Sequence, residues 1–195
     1  MPVLHIAQDP AADELLSRDP LALVVGMMLD QQFPMERAFA APRLLADRLG
    51  VDTLDAGQLA DADPEELTAV FQGPPALHRY PGSMAGRAQD LCRLLVERYA
   101  GRAENLWADA PDGRTLLRRL KELPGFGAQK ASIFLALLGK QYGVTPAGWR
   151  EAAGAYGDEG STRSVADITG PESLADVRRF KQEQKAAAKK QADAG

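Results

Sequence analysis

The stretch LPGFGAQKAS, at positions 123–132, separates two segments that both have the apolar spacing of helices. Apolar residues of the first segment would share one face: Leu116, Leu117, Leu120 and Leu123. Pro124 disfavours a helical conformation at the residue before it, so this helix should end near Leu123. The second segment has a matching face made of Ile133, Phe134, Leu137 and Leu138. Two helices with facing apolar residues and so short a connection predict a helical hairpin over residues 114–138.

The connection itself has the chemistry of a small anion site. Gly125 and Gly127 can adopt backbone angles closed to other residues, and without a Cβ they let a phosphate approach the main chain. We expect Phe126 to turn inward between the helices. The free N–H groups at the start of the second helix, near Ala128 and Gln129, would then point outward with the positive end of the helix dipole. Such a site suits a DNA backbone, although the glycines could equally do no more than permit the turn.

The remaining segments are also helical in pattern. The run LALVVGMMLDQQ after Pro20 is apolar on nearly all sides and predicts a buried helix. Pro34 fits the first turn of a helix through about Leu49, and Ser83 fits the N-cap of a helix through about Tyr99. The segment VLHI near the start has the only strand-like pattern, and it is short. The sequence therefore predicts an all-α protein.

Composition excludes several classes of site and protein. No apolar run approaches the roughly 20 residues of a membrane span, and the first residues lack the pattern of a signal peptide, so we expect a cytoplasmic protein without a membrane partner. Because Cys92 is the single cysteine, an intrachain disulfide or a cysteine-ligated iron–sulfur cluster cannot form. With only two histidines we expect no metal site.

The charge of the chain is unevenly distributed. A formal net charge of −4 argues against strong non-specific attraction to nucleic acid. Basic residues nevertheless concentrate around the hairpin and in the C-terminal segment that begins at Pro171, whose tail after Lys185 we expect to fray. Both basic groups could be solvated helix faces or phosphate-binding surfaces.

Three segments together resemble the HhH-GPD superfamily of base-excision DNA glycosylases. LPGFGAQKASIFLALLGKQYG, from position 123, is similar to the family's helix-hairpin-helix motif. MLDQQFP, residues 28–34, resembles the early buried helix that ends in a glutamine motif, and RAQDLCRLL, residues 87–95, resembles the helix after the middle loop. The hairpin is moderately specific, the other two are weak, and the set spans about residues 20–148.

The resemblance implies one HhH-GPD-like unit over residues 1–195, with two helical lobes and a central cleft. The middle lobe would comprise residues 20–137, and the terminal lobe residues 1–19 together with 138–195. In the family the hairpin grips phosphates and a target nucleotide is flipped out of the duplex into the cleft. Double-stranded DNA, damaged, is thus the expected partner of a monomer. The hairpin residues implied are Gly125, Phe126, Gly127, Ala128, Gln129 and Lys130, where the resemblance also allows a monovalent cation.

Other residues at matching positions are candidates for contact with a base or with the gap in the helix. The resemblance assigns this role to Gln32, with Gln31 in support, because an amide carries both a donor and an acceptor. Trp149 could stack on an extruded base and Arg150 could hold a phosphate. In the middle loop, His78 and Tyr80 could contribute to a wedge. Each of these side chains also has an ordinary structural alternative, either core packing, helix-end hydrogen bonding or solvation.

The sequence departs from the family at two catalytic positions. Bifunctional members carry a Schiff-base lysine two residues after the second hairpin glycine, where this chain has Gln129. Lys130 is adjacent, but one residue rotates a side chain by about 100°, so we expect it to point away from the pocket and no lyase step to occur. The family's aspartate is also missing after the loop GVTPAG, and the nearest carboxylates, Glu151 and Asp158, are the replacements we consider.

Three hypotheses follow. The leading one is a monofunctional DNA N-glycosylase without an iron–sulfur cluster. Alkylated purines, uracil and oxidised guanine are all open as substrates, and alkylated purines are slightly favoured because a cationic base leaves without much acid catalysis. The second is a catalytically inactive module that recognises damaged DNA and recruits other repair factors, which the missing aspartate favours. The third is a helical protein-interaction scaffold, which the acidic balance favours.

Overall fold

The structure is a computed structural model that describes residues 2–193. Within that range the regular secondary structure is entirely helical, which confirms the predicted all-α class. The ten α-helices are α1 (Pro10–Arg18), α2 (Pro20–Leu29), α3 (Met35–Leu49), α4 (Ala56–Asp61), α5 (Pro64–Gln72), α6 (Pro81–Tyr99), α7 (Gly113–Lys121), α8 (Ala128–Gln141), α9 (Trp149–Ala153) and α10 (Pro171–Asp193). Short 3₁₀ helices cover Ala103–Leu106, Gly154–Gly157 and Val165–Asp167.

Helix α2 is the central element, as its sequence predicts. All of its residues after Pro20 are buried, and it packs on α1, α3, α6 and the first 3₁₀ helix. Asp19 caps it by accepting hydrogen bonds from the N–H groups of Leu21 and Ala22, and its second carboxylate oxygen accepts from the N–H of Leu54. Burial raises the pKa of Asp19, while these three hydrogen bonds oppose the rise. One carboxylate thus joins the start of α2 to the loop before α4.

Several local predictions need correction. Pro34 is the N-cap of α3 instead of lying in its first turn, and α6 begins at Pro81 instead of being capped by Ser83. Proline is favoured at the first helical position because its missing N–H would have no intrahelical partner there. Residues 3–6 form no strand: the N–H of Leu4 donates to Ser17 Oγ, and the N–H of Ile6 donates to a carboxylate oxygen of Asp13.

Helices α7 and α8 pack against each other and are joined by residues 122–127, as the apolar spacing predicts. Helix α8 also contacts α9 and the last two 3₁₀ helices, whereas α1 packs on α2 and α3. The buried apolar residues of the described chain form one continuous cluster, which includes residues of α1, α2 and α3 as well as residues of α7, α8 and α9. The proposed division into lobes of residues 20–137 and 1–19 with 138–195 stays a prediction.

Cys92 and the C-terminal segment both lie outside the hairpin. Cys92 is buried in α6, and burial raises the pKa of its thiol to about 12. The segment after Lys185, which we expected to fray, is helical through Asp193, and its residues are exposed. None of the helices within residues 2–193 combines the length and apolar character that crossing a membrane requires.

The packing of Trp149 against Gly139 of α8 gives a test of the fold. A Cβ added at Gly139 would lie 2.3 Å from the indole ring, so Gly139→Ala should lower the free energy of unfolding by about 1–3 kcal/mol, despite the better helix propensity of alanine. Gly86 in α6 is the matched control, because nothing lies within 4 Å of its added Cβ. Gly86→Ala should raise that free energy by about 0.5–1 kcal/mol. Equal shifts of the two variants in thermal or urea unfolding would contradict this packing.

Candidate functional site

In the connection between α7 and α8, the apolar side chains turn inward, as the sequence predicts. Leu123 and Phe126 are buried, and the ring of Phe126 lies edge-on to Phe134 of α8 with 5.8 Å between ring centroids. Gly125 has a φ of 84°, in the left-handed region that favours glycine. A Cβ at Gly125 would lie 2.7 Å from Cδ of Arg87, whose flexible side chain would have to shift, so the backbone conformation is the stronger reason for glycine here.

Gly127 differs from the prediction and has no such requirement. Its φ of −82° and ψ of 179° are extended values that any residue adopts, and nothing lies within 4 Å of an added Cβ. It is the N-cap of α8, where no side chain caps the helix, and the first backbone hydrogen bond reaches its carbonyl from the N–H of Ala131. Gly127, Ala128 and Gln129 are exposed. The N–H groups at this helix start are therefore open to a ligand from outside.

A pocket of about 780 Å³ opens beside this helix start. Its walls come from the loop after α2, the first turns of α8, the segment 156–163 and the middle of α10. Four of the residues singled out in the sequence line it, namely Gln31, Gln32, Gln129 and Lys130. Three aromatic rings also contribute to the lining, those of Phe33, Tyr156 and Phe180. The structure therefore brings both glutamines of the MLDQQFP segment together with the start of α8.

The two adjacent glutamines have different environments. Gln31 is held on both ends of its amide: Nε2 donates to the carbonyl of Met28 at 3.0 Å, and Oε1 accepts from Arg87 Nη1 at 3.3 Å. Gln32 is exposed and has a φ of 50°, an uncommon conformation for a residue other than glycine. Gln32 is thus the exposed glutamine of the pocket lining, whereas the amide of Gln31 is held by Met28 and Arg87.

His78 is buried, whereas its predicted role as part of a wedge requires an exposed side chain. The ring is 1% exposed, so it does not reach the surface as a wedge would. Its Nδ1 accepts from the N–H of Tyr80, which leaves Nε2 to donate to the carbonyl of Gln31 at 2.9 Å. Burial lowers the pKa of His78, consistent with a neutral ring in this tautomer. The role of His78 as a DNA contact is thus corrected to that of a support for the glutamine loop.

Tyr80 remains at the surface beside this buried histidine. Its side chain is 45% exposed, and the guanidinium of Arg79 lies 5.4 Å from the centroid of its ring. A second exposed basic group follows one face of α7, where Arg114, Arg118 and Lys121 have helical spacing and no ion-pair partner within residues 2–193. Both groups are compatible with contact to phosphates.

Lys130 does not point away from the pocket, and the prediction from its helical position is wrong. Its Nζ donates to the carbonyl of Met28 at 2.9 Å, which draws the side chain across the end of α2 and into the pocket wall. Burial lowers the pKa of Lys130 to about 8, with Arg87 contributing to the decrease and Asp30 opposing it. The unsatisfied carbonyls at the C-terminal end of α2 provide the physical reason for this orientation.

Asp30 is the acidic residue among those that line this pocket, and the sequence analysis did not identify it. It is the C-cap of α2, and it lines the pocket with Lys130 and with Lys181 of α10. Burial raises its pKa, while Lys181 and Lys130 oppose the rise. A signal was present in the sequence, since Asp30 is the one charged residue of MLDQQFP and follows directly on an apolar helix.

The remaining candidates lie elsewhere. Trp149 is 8% exposed and packs on Gly139, so its indole has no free face for stacking on a base at the pocket. Arg150 lies with its guanidinium 4.6 Å from the centroid of that indole and donates to the carbonyl of Gly157. Together with Arg150, the exposed carboxylates Glu151 and Asp158 line a separate pocket of about 420 Å³. The structure does not bring these two acids together with the glutamines or with Lys130.

Comparison with known proteins adds no family or function. No protein-family model matches the chain, and no curated protein is significantly similar to it. Within residues 2–193, no three or more histidine, cysteine, aspartate or glutamate side chains are grouped as they would be around a metal ion.

The proximity of Asp30 and Lys130 can be tested by titration. In the wild-type protein the ¹³Cε resonance of Lys130, assigned with the Lys130→Arg variant, should titrate with a midpoint near 8. Asp30→Asn should lower this midpoint further, because the carboxylate's negative charge stabilises the ammonium form. An unchanged midpoint in Asp30→Asn would show that the two side chains are not coupled.

Proposed function

We propose that this protein binds damaged double-stranded DNA and removes a base as a monofunctional DNA N-glycosylase of the helix-hairpin-helix type. The observation that carries the proposal is that the exposed start of α8 and the pocket form one continuous surface. The uncapped, exposed start of α8 leads directly into a pocket with aromatic and amide walls, because Gln129 and Lys130 belong to both. A phosphate at the helix start would place the neighbouring nucleotide at the mouth of the pocket.

The phosphate-binding part of the proposal is supported by Gly127. Neither conformation nor packing within the protein requires a glycine there, so the absence of a side chain has an explanation if a ligand comes close to the backbone. Helix starts bind phosphates through their free N–H groups and dipole. Arg118 and Lys121, exposed on the helix before the connection, would add attraction to the DNA backbone despite the net charge of −4.

The base-binding part is supported by the size and lining of the pocket. A volume of about 780 Å³ lies in the ordinary range of small-molecule sites and is ample for a flipped nucleotide. Phe33, Tyr156 and Phe180 offer ring faces or edges to a base. The exposed amide of Gln32 could pair with an extruded base or with the gap that it leaves. An alkylated purine is the favoured substrate, since its positive charge makes it a good leaving group.

The absence of a lyase step depends on Gln129 and on how firmly Lys130 is held. Gln129 occupies the position of the Schiff-base lysine and donates from Nε2 to the hydroxyl of Tyr156. Lys130 lines the pocket, but its amine is hydrogen-bonded to the carbonyl of Met28. We infer that this bond withholds the amine from covalent attack. Borohydride trapping on abasic DNA should therefore give no cross-linked protein.

A second candidate function is a catalytically inactive module that recognises damaged DNA. The observation that favours it is the location of Glu151 and Asp158, which line a pocket other than the one that Lys130 lines. In that case the pocket would bind an extruded base without hydrolysis. Neither function requires a cofactor, and both are compatible with a monomer.

Substitutions at Gly127 test the phosphate grip without disturbing the fold. Aspartate is a favoured N-cap in this backbone conformation, so Gly127→Asp should leave thermal stability unchanged or slightly higher. Its charge should repel a phosphate and weaken DNA binding by about tenfold or more at low salt, with a smaller slope of log affinity against log salt. Gly127→Asn, equal in size but neutral, is the matched control and should weaken binding less. Unchanged affinity of Gly127→Asp would count against the helix-start contact.

An abasic-site assay tests the chemistry. Duplexes with alkylated, deaminated, oxidised or mismatched bases are incubated with the protein, and half of each sample then receives alkali. The expected result is strand cleavage of one substrate class, alkylated purines, only after alkali. Cleavage without alkali would indicate a lyase, and selective binding without base loss on any duplex would indicate the inactive module.

A further inference from the structure

We propose that Asp30 supplies the catalytic carboxylate that is missing after the hairpin, acting in the pocket beside Lys130. The inference rests on the proposed glycosylase function and deepens it by naming the group that activates water. It replaces Glu151 and Asp158, which line a different pocket.

The position of Asp30 makes its carboxylate available to a ligand. Its main chain is fixed by a hydrogen bond from its N–H to the carbonyl of Met27, at the end of the buried helix α2. Only burial and the charges of Lys181 and Lys130 act on its carboxylate within residues 2–193, and no hydrogen bond does. No fully buried side-chain oxygen in that range is without a hydrogen-bond partner. The carboxylate oxygens of Asp30 must therefore reach the solvent of the pocket. A firmly held backbone with an open functional group is the arrangement expected of a catalytic side chain.

The charges around Asp30 come from three other parts of the fold. Lys130 of α8, Arg163 of the segment before the last 3₁₀ helix, and Lys181 and Lys185 of α10 line the same pocket. Burial raises the pKa of Asp30, and the positive charges of Lys181 and Lys130 oppose that rise because they favour the carboxylate form. An ionised carboxylate of raised basicity suits a general base. The same cations would attract the phosphates that flank an extruded nucleotide.

The reaction balances with water as the only co-reactant. The bond between C1′ of the deoxyribose and the nitrogen of the alkylated purine breaks, and its electron pair leaves with the base, which was a cation and becomes neutral. The carboxylate of Asp30 stabilises the positive charge that develops on the sugar. A water oxygen forms the new bond to C1′, and its proton passes to Asp30 and then to solvent. The products are the free base and an abasic site, without strand cleavage.

The experiment compares single-turnover base release and DNA affinity in the full chain. Asp30→Asn should slow base release by about 10²–10⁴-fold, the usual contribution of a general base, while binding of the damaged duplex is retained. Asp61→Asn, which removes an exposed carboxylate from α4, is the control for the change in net charge. Glu151→Gln is the rival variant: loss of base release there, with full activity in Asp30→Asn, would overturn the proposal.

The pH dependence provides a second readout. The rate of base release by the wild-type protein should fall as pH decreases through the raised pKa of Asp30, because only the carboxylate form accepts the proton. This acidic limb should coincide with the ¹³Cγ titration of Asp30 and should be absent from the residual rate of Asp30→Asn. If Asp30→Asn fails to fold, a mismatch between the limb and the titration in the wild-type protein still overturns the proposal. No base release by the wild-type protein on any substrate would instead reject the proposed function on which the inference rests.

Discussion

The C-terminal end of α2 is the point on which the site depends. A helix leaves its last carbonyls without intrahelical partners, and α2 is buried, so other elements must supply the donors. The carbonyl of Met28 accepts from Lys130 of α8 and from the side chain of Gln31, and the carbonyl of Gln31 accepts from His78 of the loop before α6. Three distant parts of the chain are thus held together at one helix end. The pocket opens where they meet.

The same requirement explains the electrostatics of the pocket. Lys130 is drawn inward by the carbonyl that it satisfies, and this burial lowers the pKa of its amine. The neighbouring carboxylate of Asp30 is partly desolvated in turn, and its pKa is raised. A lysine and an aspartate that depart from their ordinary pKa values in opposite directions, in a pocket with aromatic walls, have the character of a functional site. The hydrogen bond from Lys130 that closes the end of α2 is therefore also the contact that buries its amine in the pocket wall.

The sequence predicted the parts of the fold that depend on local patterns. The facing apolar residues of α7 and α8 and the inward turn of Phe126 follow from helical spacing. The special backbone conformation predicted for both glycines of the connection is found at Gly125 and not at Gly127. Predictions of which polar or aromatic side chains are exposed were less accurate. Trp149 and His78 have residue types that suit a binding surface, but one packs on Gly139 and the other is buried with both ring nitrogens engaged. A local sequence pattern does not show which distant residue an aromatic ring will pack against.

The sequence by itself determined the all-helical class, the hairpin and the gathering of glutamines and glycines at the ends of two helices, because apolar periodicity and backbone preferences act over a few residues. Only the tertiary structure decided which polar groups share a pocket. Asp30 and Lys130 are far apart in the chain, and they come together because a buried helix end needs donors from outside itself. Glu151, closer to Lys130 in sequence, faces another pocket because α9 packs with Trp149 turned inward. Proximity in space depends on how the helices satisfy their ends and their cores, which sequence distance does not encode.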